Sequence, residues 1–154
     1  MTYGDPRVEA VWRRLRRVRT SRFTAELRTD TAPWTAAGAG TLVVLEPGPG
    51  TLLLMERGTW RPGDGGDPVA YRAAYRWTRV EGGLRLAHIR RGPDHPVELG
   101  VLAPDGGDGL ATVRPHLCGP DRYDARLVVD GPTLRLEWRV RGPSKDQRVV
   151  HEYG

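Results

Sequence analysis

One short segment carries most of the side chains that could do chemistry. Residues 115–127 read PHLCGPDRYDARL, with a histidine, the only cysteine, two aspartates and a tyrosine around a Gly-Pro turn. Side chains two apart on a strand face the same side. We therefore expect His116 to share a face with Cys118, and Asp121 to share one with Tyr123. The segment has three interpretations: a reactive site, a metal site, or part of the inner wall of a barrel.

We favour the inner wall. Buried polar groups need hydrogen-bond partners, and His116, Asp121 and Tyr123 can supply partners for one another as a cluster that fixes the hairpin. A zinc site needs three or four ligands, whereas His116 and Cys118 supply two and the chain has no CxxC or HExxH, so we predict no metal. Nucleophilic catalysis by Cys118 would need an activating base. A lone cysteine is more typical of a small buried residue.

Two further features could contribute to a site. Lys145 is the only lysine among 24 basic residues, so it either occupies a surface loop by chance or marks a place where a compact amine matters. We favour the loop, because a Gly-Pro pair precedes it. In the segment AYRAAYRW, strand alternation places Tyr71, Tyr75 and Trp77 on one face and Arg72 on the other.

The elements that position these residues are predicted to be strands. After residue 20 the apolar residues recur at every second position, most clearly in PTLRLEWRV (132–140), which is typical of strands with one buried face. A closed barrel removes the exposed edges of such a sheet, and eight to ten strands enclose room for side chains or one small ligand. We predict an all-β antiparallel up-and-down barrel over residues 21–153, with strands at 21–28, 38–46, 51–58, 68–80, 84–91, 96–103, 110–117, 121–129, 132–140 and 147–153.

A helix is predicted before the barrel, over residues 5–19. Asp5 can cap it and Pro6 suits its first turn. Its apolar residues share one face and arginines occupy most of the rest. We expect this helix to lie across one end of the barrel. The alternative is a basic amphipathic helix that binds an anionic surface.

Composition narrows the classes of protein. The 154 residues are predicted to form one domain, 1–154. No apolar run is long enough to cross a membrane, and the N-terminus lacks the apolar region of a signal peptide, so we expect a cytoplasmic protein. The net charge of +5 and pI of about 10.0 raise nucleic acid as a partner. The arginines are spread along the chain beside acidic residues, which argues against that partner.

The motifs together resemble a bacterial family, the domain-of-unknown-function family 6314. The resemblance implies a small lipocalin-type, calycin-like barrel and no established activity. The chain departs from the family pattern at Phe23, at His95 and at Gln147. The matching pieces are GAGTL at 38–42, ERGTW at 56–60, YRAAYRW at 71–77, PHLCGPDRYDARL at 115–127 and EWRVRGPSKD at 137–146.

The leading functional hypothesis is that the barrel binds a small apolar or amphipathic molecule in its interior. Aromatic residues would supply contact area and polar residues would orient the ligand. The expected aromatic contacts are Tyr75, Trp77, Tyr123 and Trp138. The expected polar contacts are Arg72, His116, Asp121 and Lys145. We predict no cofactor, and the sequence leaves the oligomeric state open.

Three alternatives stay open. The first is an enzyme of the isomerase or cyclase type, in which His116 or Asp121 handles protons and Tyr123 donates a hydrogen bond. The second is haem binding through His116, His88 or His95. The third is a basic adaptor that uses the arginine-rich helix on nucleic acid.

Overall fold

The computed structural model describes residues 4–28 and 33–154. Residues 1–3 and 29–32, which belong to the predicted domain, lie outside the described residues. The described elements are α1 (Pro6–Leu15), β1 (Thr20–Arg28), β2 (Trp34–Gly48), β3 (Thr51–Pro62), β4 (Val69–Val80), β5 (Gly83–His88), β6 (Val97–Pro104), β7 (Leu110–Thr112), β8 (His116–Cys118), β9 (Asp121–Asp130), β10 (Thr133–Gly142) and β11 (Lys145–Tyr153).

The strands form one antiparallel sheet that closes on itself. The sheet runs from β10 through β11 to β1, continues in chain order to β7, and then passes to β9, which pairs with β10. β7 and β8 both pair with β9 and together make one interrupted strand, so the described residues form a ring of ten strands. The predicted antiparallel barrel of eight to ten strands is confirmed.

The interruption between β7 and β8 falls at residues 113–115. An unbroken strand was predicted over 110–117, and that prediction is wrong. Pro115 has no amide hydrogen to donate to a ladder. The amide of Val113 instead donates to the carbonyl of Val101, at 2.9 Å. The chain therefore leaves the edge of β9 and returns to it at His116.

The inward-facing side chains near α1 form a tightly packed leucine core. Cross-strand register places them on one continuous inner surface, and they are almost fully buried. The largest of these side chains is Trp77, which is 2% exposed and lies opposite Leu52 and Leu86. The leucines of this core are Leu42, Leu52, Leu54, Leu84, Leu86, Leu102, Leu110, Leu127, Leu134 and Leu136.

Helix α1 covers this end of the barrel with its apolar face. The carboxylate of Asp5 accepts a hydrogen bond from the backbone N–H of Arg7 at 2.8 Å and so caps the first turn. The residues of α1 that are buried against the leucine core are Val8, Val11, Trp12 and Leu15. Within residues 4–28 and 33–154, no helix is long and apolar enough to cross a membrane.

The helix is shorter than the predicted span of 5–19. It ends at Leu15 because the chain must turn to start β1 beside the end of β11. There the amide of Arg19 donates to the carbonyl of Gly154 at 2.7 Å. Val18 is nevertheless buried, which explains why the apolar periodicity continues past the last helical residue.

Polar contacts also hold α1 in place. The guanidinium of Arg79 pairs with Glu9 and lies 5.5 Å from the centre of the Trp12 ring. Arg14 donates a hydrogen bond to the carbonyl of Pro132 at 2.7 Å. These contacts join the helix to the turns at that end of the barrel, as the interpretation of a helix packed across the barrel end requires.

We predict that Leu15→Ala lowers the free energy of unfolding by about 2–5 kcal/mol, because it opens a cavity between α1 and the leucine core. Leu15 is 0% exposed, whereas Leu117 in β8 is 71% exposed. The same change at Leu117 should therefore alter stability by less than about 0.5 kcal/mol. Urea unfolding followed by tryptophan fluorescence measures both values. Equal effects at the two positions would contradict the placement of α1.

Candidate functional site

The character of the interior changes beyond the leucine core. There the inward-facing positions carry aromatic and polar side chains, and most of them are only partly buried. The cross-strand register puts them on neighbouring strands of the same inner surface. We call this region the polar half of the interior, formed by Ser21, Phe23, Glu56, Tyr71, Tyr75, His88, Trp138 and His151.

A buried carboxylate lies at the boundary between the two halves. Glu56 follows the inward-facing Leu54 on β3 and is 5% exposed. One of its oxygens accepts a hydrogen bond from the Tyr71 hydroxyl, which lies 3.5 Å from the Ser21 hydroxyl. Burial, and then the hydrogen bond to Glu56, raise the pKa of Tyr71 well above its ordinary value. The second carboxylate oxygen, Oε1, has no hydrogen-bond partner.

Two glycines of the GAGTL motif make room for this arrangement. A Cβ atom on Gly38 would lie 2.3 Å from the ring of Phe23, and one on Gly40 would lie 2.8 Å from the hydroxyl of Tyr71. Both glycines face inward, opposite Phe23 and Ser21 on β1. The motif therefore leaves the space that the two rings occupy, which gives a structural reason for glycine at both positions.

The aromatic rings of the polar half are in contact with one another. Phe23 lies edge-on to Tyr71 with ring centres 5.5 Å apart, and it lies 5.8 Å from the ring of His151. His151 in turn stacks on Tyr153 at 5.7 Å with nearly parallel planes. β2 and β3 separate β1 from β4 in the sheet, so the Phe23–Tyr71 contact crosses the interior and the rings from β4, β1 and β11 form one aromatic cluster there.

Two histidines complete the polar half. Burial lowers the pKa of His151 to about 4, so the ring is neutral at pH 7. Burial, and then the positive charges of Arg90 and Arg91, lower the pKa of His88, which lies directly opposite Tyr75. The Nδ1 atoms of both rings are buried without a hydrogen-bond partner. Both imidazoles thus offer unused hydrogen-bonding capacity.

The hairpin of β8 and β9 does not form the expected hydrogen-bonded cluster. His116 lies opposite Tyr123, and their rings meet edge-on at 5.7 Å. Asp121 lies opposite Cys118, two positions away, and its carboxylate lies where a Cβ atom on Gly142 would be. Within the described residues no hydrogen bond joins the three side chains, because the register separates the aspartate from the histidine.

The remaining predicted site residues fall into different places. Tyr75 and Trp138 lie on the inner surface and pack against the core. Lys145 opens β11 opposite Gly142, at the end of the barrel away from α1. Trp77 is enclosed by the leucine core, so it is out of reach of a ligand in the polar half. We call the end formed by the β8–β9 and β10–β11 turns the mouth.

Arg72 does not face the interior. It lies exposed on the outer wall, directly opposite Arg57 on β3, and lines shallow depressions of about 440 and 570 Å³. Its place follows from strand alternation, since Tyr71 and Ala73 on either side point inward. The prediction that Arg72 contacts a ligand in the interior is therefore wrong. The predicted alternation of the strand already placed this side chain outside.

The structure also locates three further residues that the sequence drew attention to. Cys118 is exposed rather than a buried filler. His95 is exposed in the loop between β5 and β6. Gln147, where the chain departs from the family pattern, lies opposite Leu27 and Val140 on the inner surface. Among residues 4–28 and 33–154, no three His, Cys, Asp or Glu side chains are grouped so as to hold a metal ion.

Glu56, Ser21 and His151 were not predicted from the sequence. A signal for Glu56 was present, because in TLLLMERG it continues the alternation of Leu52 and Leu54 and so places a charge on an apolar face. His151 likewise lies between Val149 and Tyr153 in the alternating pattern of the last strand. Nothing in the local sequence indicates that Ser21 meets Tyr71, fifty positions away.

We predict that Gly38→Ala destabilises the protein by about 1–3 kcal/mol, because the added methyl group would collide with the Phe23 ring. Gly48 is a matched control on the same strand, since a Cβ atom there meets nothing within 4 Å. Gly48→Ala should be neutral or stabilising by less than about 1 kcal/mol. Chemical unfolding of both variants provides the measurement. A neutral Gly38→Ala would show that the glycine does not hold space for the ring.

The buried His151 should also make stability depend on pH. Because folding lowers the pKa of His151 to about 4 from an ordinary 6.5, its contribution is complete above pH 6.5 and is lost as the pH falls toward 4. We expect His151→Phe to reduce the loss of unfolding free energy between pH 7 and pH 5 by about 2 kcal/mol. The same substitution at the exposed His95 serves as the control. An unchanged pH dependence in His151→Phe would contradict the burial of a neutral ring.

The chain was compared with curated proteins, with solved structures and with models of protein families. No curated protein matches the chain. Among solved structures it is similar to EF1p2_mFAP2b bound to DFHBI, with 12% identity, a TM-score of 0.39 and 96% of both chains covered. It is also similar to a redesigned β-barrel, mFAP1, bound to DFHBI, with 12% identity, a TM-score of 0.35 and coverage of 86% of this chain and 92% of that one. A third similar structure comes from the de novo design of a fluorescence-activating β-barrel, with 12% identity, a TM-score of 0.36 and coverage of 86% and 91%.

At these TM-scores the likeness does not bear on what this chain binds. The family match is of a different kind, since it extends over residues 8–154 and so includes most of the helix and every strand described above. It also includes all the motifs on which the resemblance was based. The chain belongs to the family of unknown function DUF6314.

Proposed function

We propose that the barrel binds one small apolar or amphipathic molecule in the polar half of its interior. The observation that carries the proposal is the contrast between the two halves of one inner surface. Near α1 the inward-facing leucines are almost fully buried, whereas Phe23, Tyr71, Tyr75, His88 and His151 remain partly accessible. Aromatic walls with a few polar groups are typical of small-molecule sites.

Unused hydrogen-bonding groups support the same proposal. Glu56 Oε1, His88 Nδ1 and His151 Nδ1 are buried in the polar half without partners. In folded proteins most buried polar atoms are paired, so an unpaired one needs an explanation. A ligand that hydrogen-bonds to these atoms would supply the missing partners.

The two ends of the barrel differ, and the difference indicates from which end a ligand would enter. α1 closes one end with apolar side chains, so a ligand would reach the polar half through the mouth. There Tyr123 and His116 would contribute ring surface, and Asp121 and Lys145 would contact polar groups at the outer end of the ligand. Tyr75 and Trp138 lie deeper and would contact its apolar part.

The proposal is tested by filling the interior. Ala73 faces inward between Tyr71 and Tyr75, whereas the adjacent Ala74 faces the outer wall. Saturable binding of the uncharged probe Nile red, followed by its fluorescence, is expected for the wild-type protein. Ala73→Phe should weaken that binding by about tenfold or more, since a ring takes the place of the ligand, and one tenfold step corresponds to about 1.4 kcal/mol.

Ala74→Phe is the matched control and should bind Nile red as the wild type does. Thermal unfolding of both variants checks that each is folded at the temperature of the titration. Absence of saturable binding to the wild type, or equal binding by the two variants, would show that the interior is not the site.

A further inference from the structure

We propose that the ligand of the polar half carries a positively charged nitrogen, as an amine or ammonium group, which the Glu56 carboxylate binds. The inference rests on the proposed function, since it names the class of molecule for the same site. It follows from the position of one carboxylate, from the rings around it and from the charges that are missing nearby.

The Glu56 carboxylate is enclosed but incompletely satisfied. It is 5% exposed, one oxygen accepts the Tyr71 hydroxyl, and the other oxygen has no partner. A carboxylate removed from water is unfavourable unless a countercharge and hydrogen bonds replace its hydration. The free oxygen is therefore the strongest unmet demand for a hydrogen-bond donor in the polar half.

No cation of the described chain meets that demand. Within residues 4–28 and 33–154, Glu56 takes part in no ion pair, although several other acidic side chains of the barrel are paired with arginine on its outer surface or near α1. Lys145, the only lysine, lies at the mouth, where it opens β11. A positively charged group on a bound molecule would supply the missing countercharge.

The two histidines of the polar half do not provide the charge either. Burial lowers the pKa of His151 to about 4 and also lowers the pKa of His88, so both rings are neutral at pH 7. Neutral rings do not repel a cation. Each has one acceptor nitrogen that can receive a further N–H group of the ligand.

The aromatic rings around Glu56 suit the same class of ligand. Tyr71 touches the carboxylate directly, and the Phe23 ring packs against Tyr71 at 5.5 Å. Tyr75 lies two inward-facing positions after Tyr71 on β4, and burial, and then the negative charge of Glu56, raise its pKa. Aromatic faces attract ammonium groups, and the attraction grows when water is excluded. A carboxylate among such rings selects an organic cation over a neutral molecule of the same shape.

The test compares two probes of nearly the same shape, one positively charged and one neutral. 1-Naphthylmethylamine is protonated at pH 7, whereas 1-naphthylmethanol is uncharged and has nearly the same shape. Isothermal titration of the wild-type protein should show that the amine binds about tenfold more tightly, as expected for one charge-assisted hydrogen bond. Glu56→Gln should remove this preference and leave the binding of the alcohol within about twofold.

Two further variants control the experiment. Glu98→Gln removes the same charge from the outer wall, where Glu98 pairs with Arg85 at 3.2 Å, and should keep the preference for the amine. Glu56→Asp keeps the charge inside and should keep most of the preference. If Glu56→Gln does not fold, equal binding of the two probes by the wild type still overturns the inference. A preference for the amine that weakens in Glu56→Asp, whose side chain is one methylene shorter, still supports it, and an unchanged preference in Glu56→Asp contradicts it.

The outcomes separate the two proposals. If Nile red fails to bind the wild type, the interior site itself is wrong. If Nile red binds but the amine binds no better than the alcohol, the site stands and the cationic ligand is overturned. A preference for the amine that survives in Glu56→Gln would also overturn the inference, because another group would then be recognising the charge.

Discussion

Closure of the sheet is the constraint on which the rest of the structure depends. Once β9 pairs with β10 and β11 pairs with β1, each of the ten strands of the ring, with β7 and β8 counted as one, has two neighbours. The alternation of side chains then becomes a division between inside and outside. The position of each inward side chain is then fixed by its cross-strand partners. Glu56, Tyr71 and Ser21 come together for this reason, although they are far apart in sequence.

The two halves of the interior have complementary roles. The leucine core and α1 supply close packing, which is the main source of stability in a domain of this size. The polar half contains groups that are unfavourable to bury, including a carboxylate and two neutral histidines with unpartnered atoms. The stability from the first half offsets the cost of the second, and that cost is a common feature of sites that bind something.

Much of the fold could be predicted from sequence, because it follows from local patterns. The alternation in TLRLEWRV predicts β10 and its buried face correctly, and Asp5 and Pro6 predict the start of α1. The end of α1 was missed because pairing with Gly154, and not helix propensity, decides where the chain turns. The break before β8 was not predicted, although Pro115 lacks the amide hydrogen that a continuous ladder with β9 would need.

The site was harder to predict, because it depends on which strands become neighbours. The sequence drew attention to His116, Asp121 and Tyr123, whose chemistry is visible within one segment. The structure instead concentrates buried, unpartnered groups at Glu56, His88 and His151, which lie on three different strands. Only long-range pairing brings such residues to one surface, and the space for them depends on glycines such as Gly38 and Gly40.

The interrupted strand has a consequence for how the barrel moves. β7 joins β9 through only two residue pairs, Leu110 with Leu127 and Ala111 with Arg126, whereas the other joints of the ring are longer. Local opening requires the fewest broken hydrogen bonds at the shortest joint. The barrel should therefore open first between β7 and β9, and amide hydrogens of β7 should exchange with solvent sooner than those of β2 or β10.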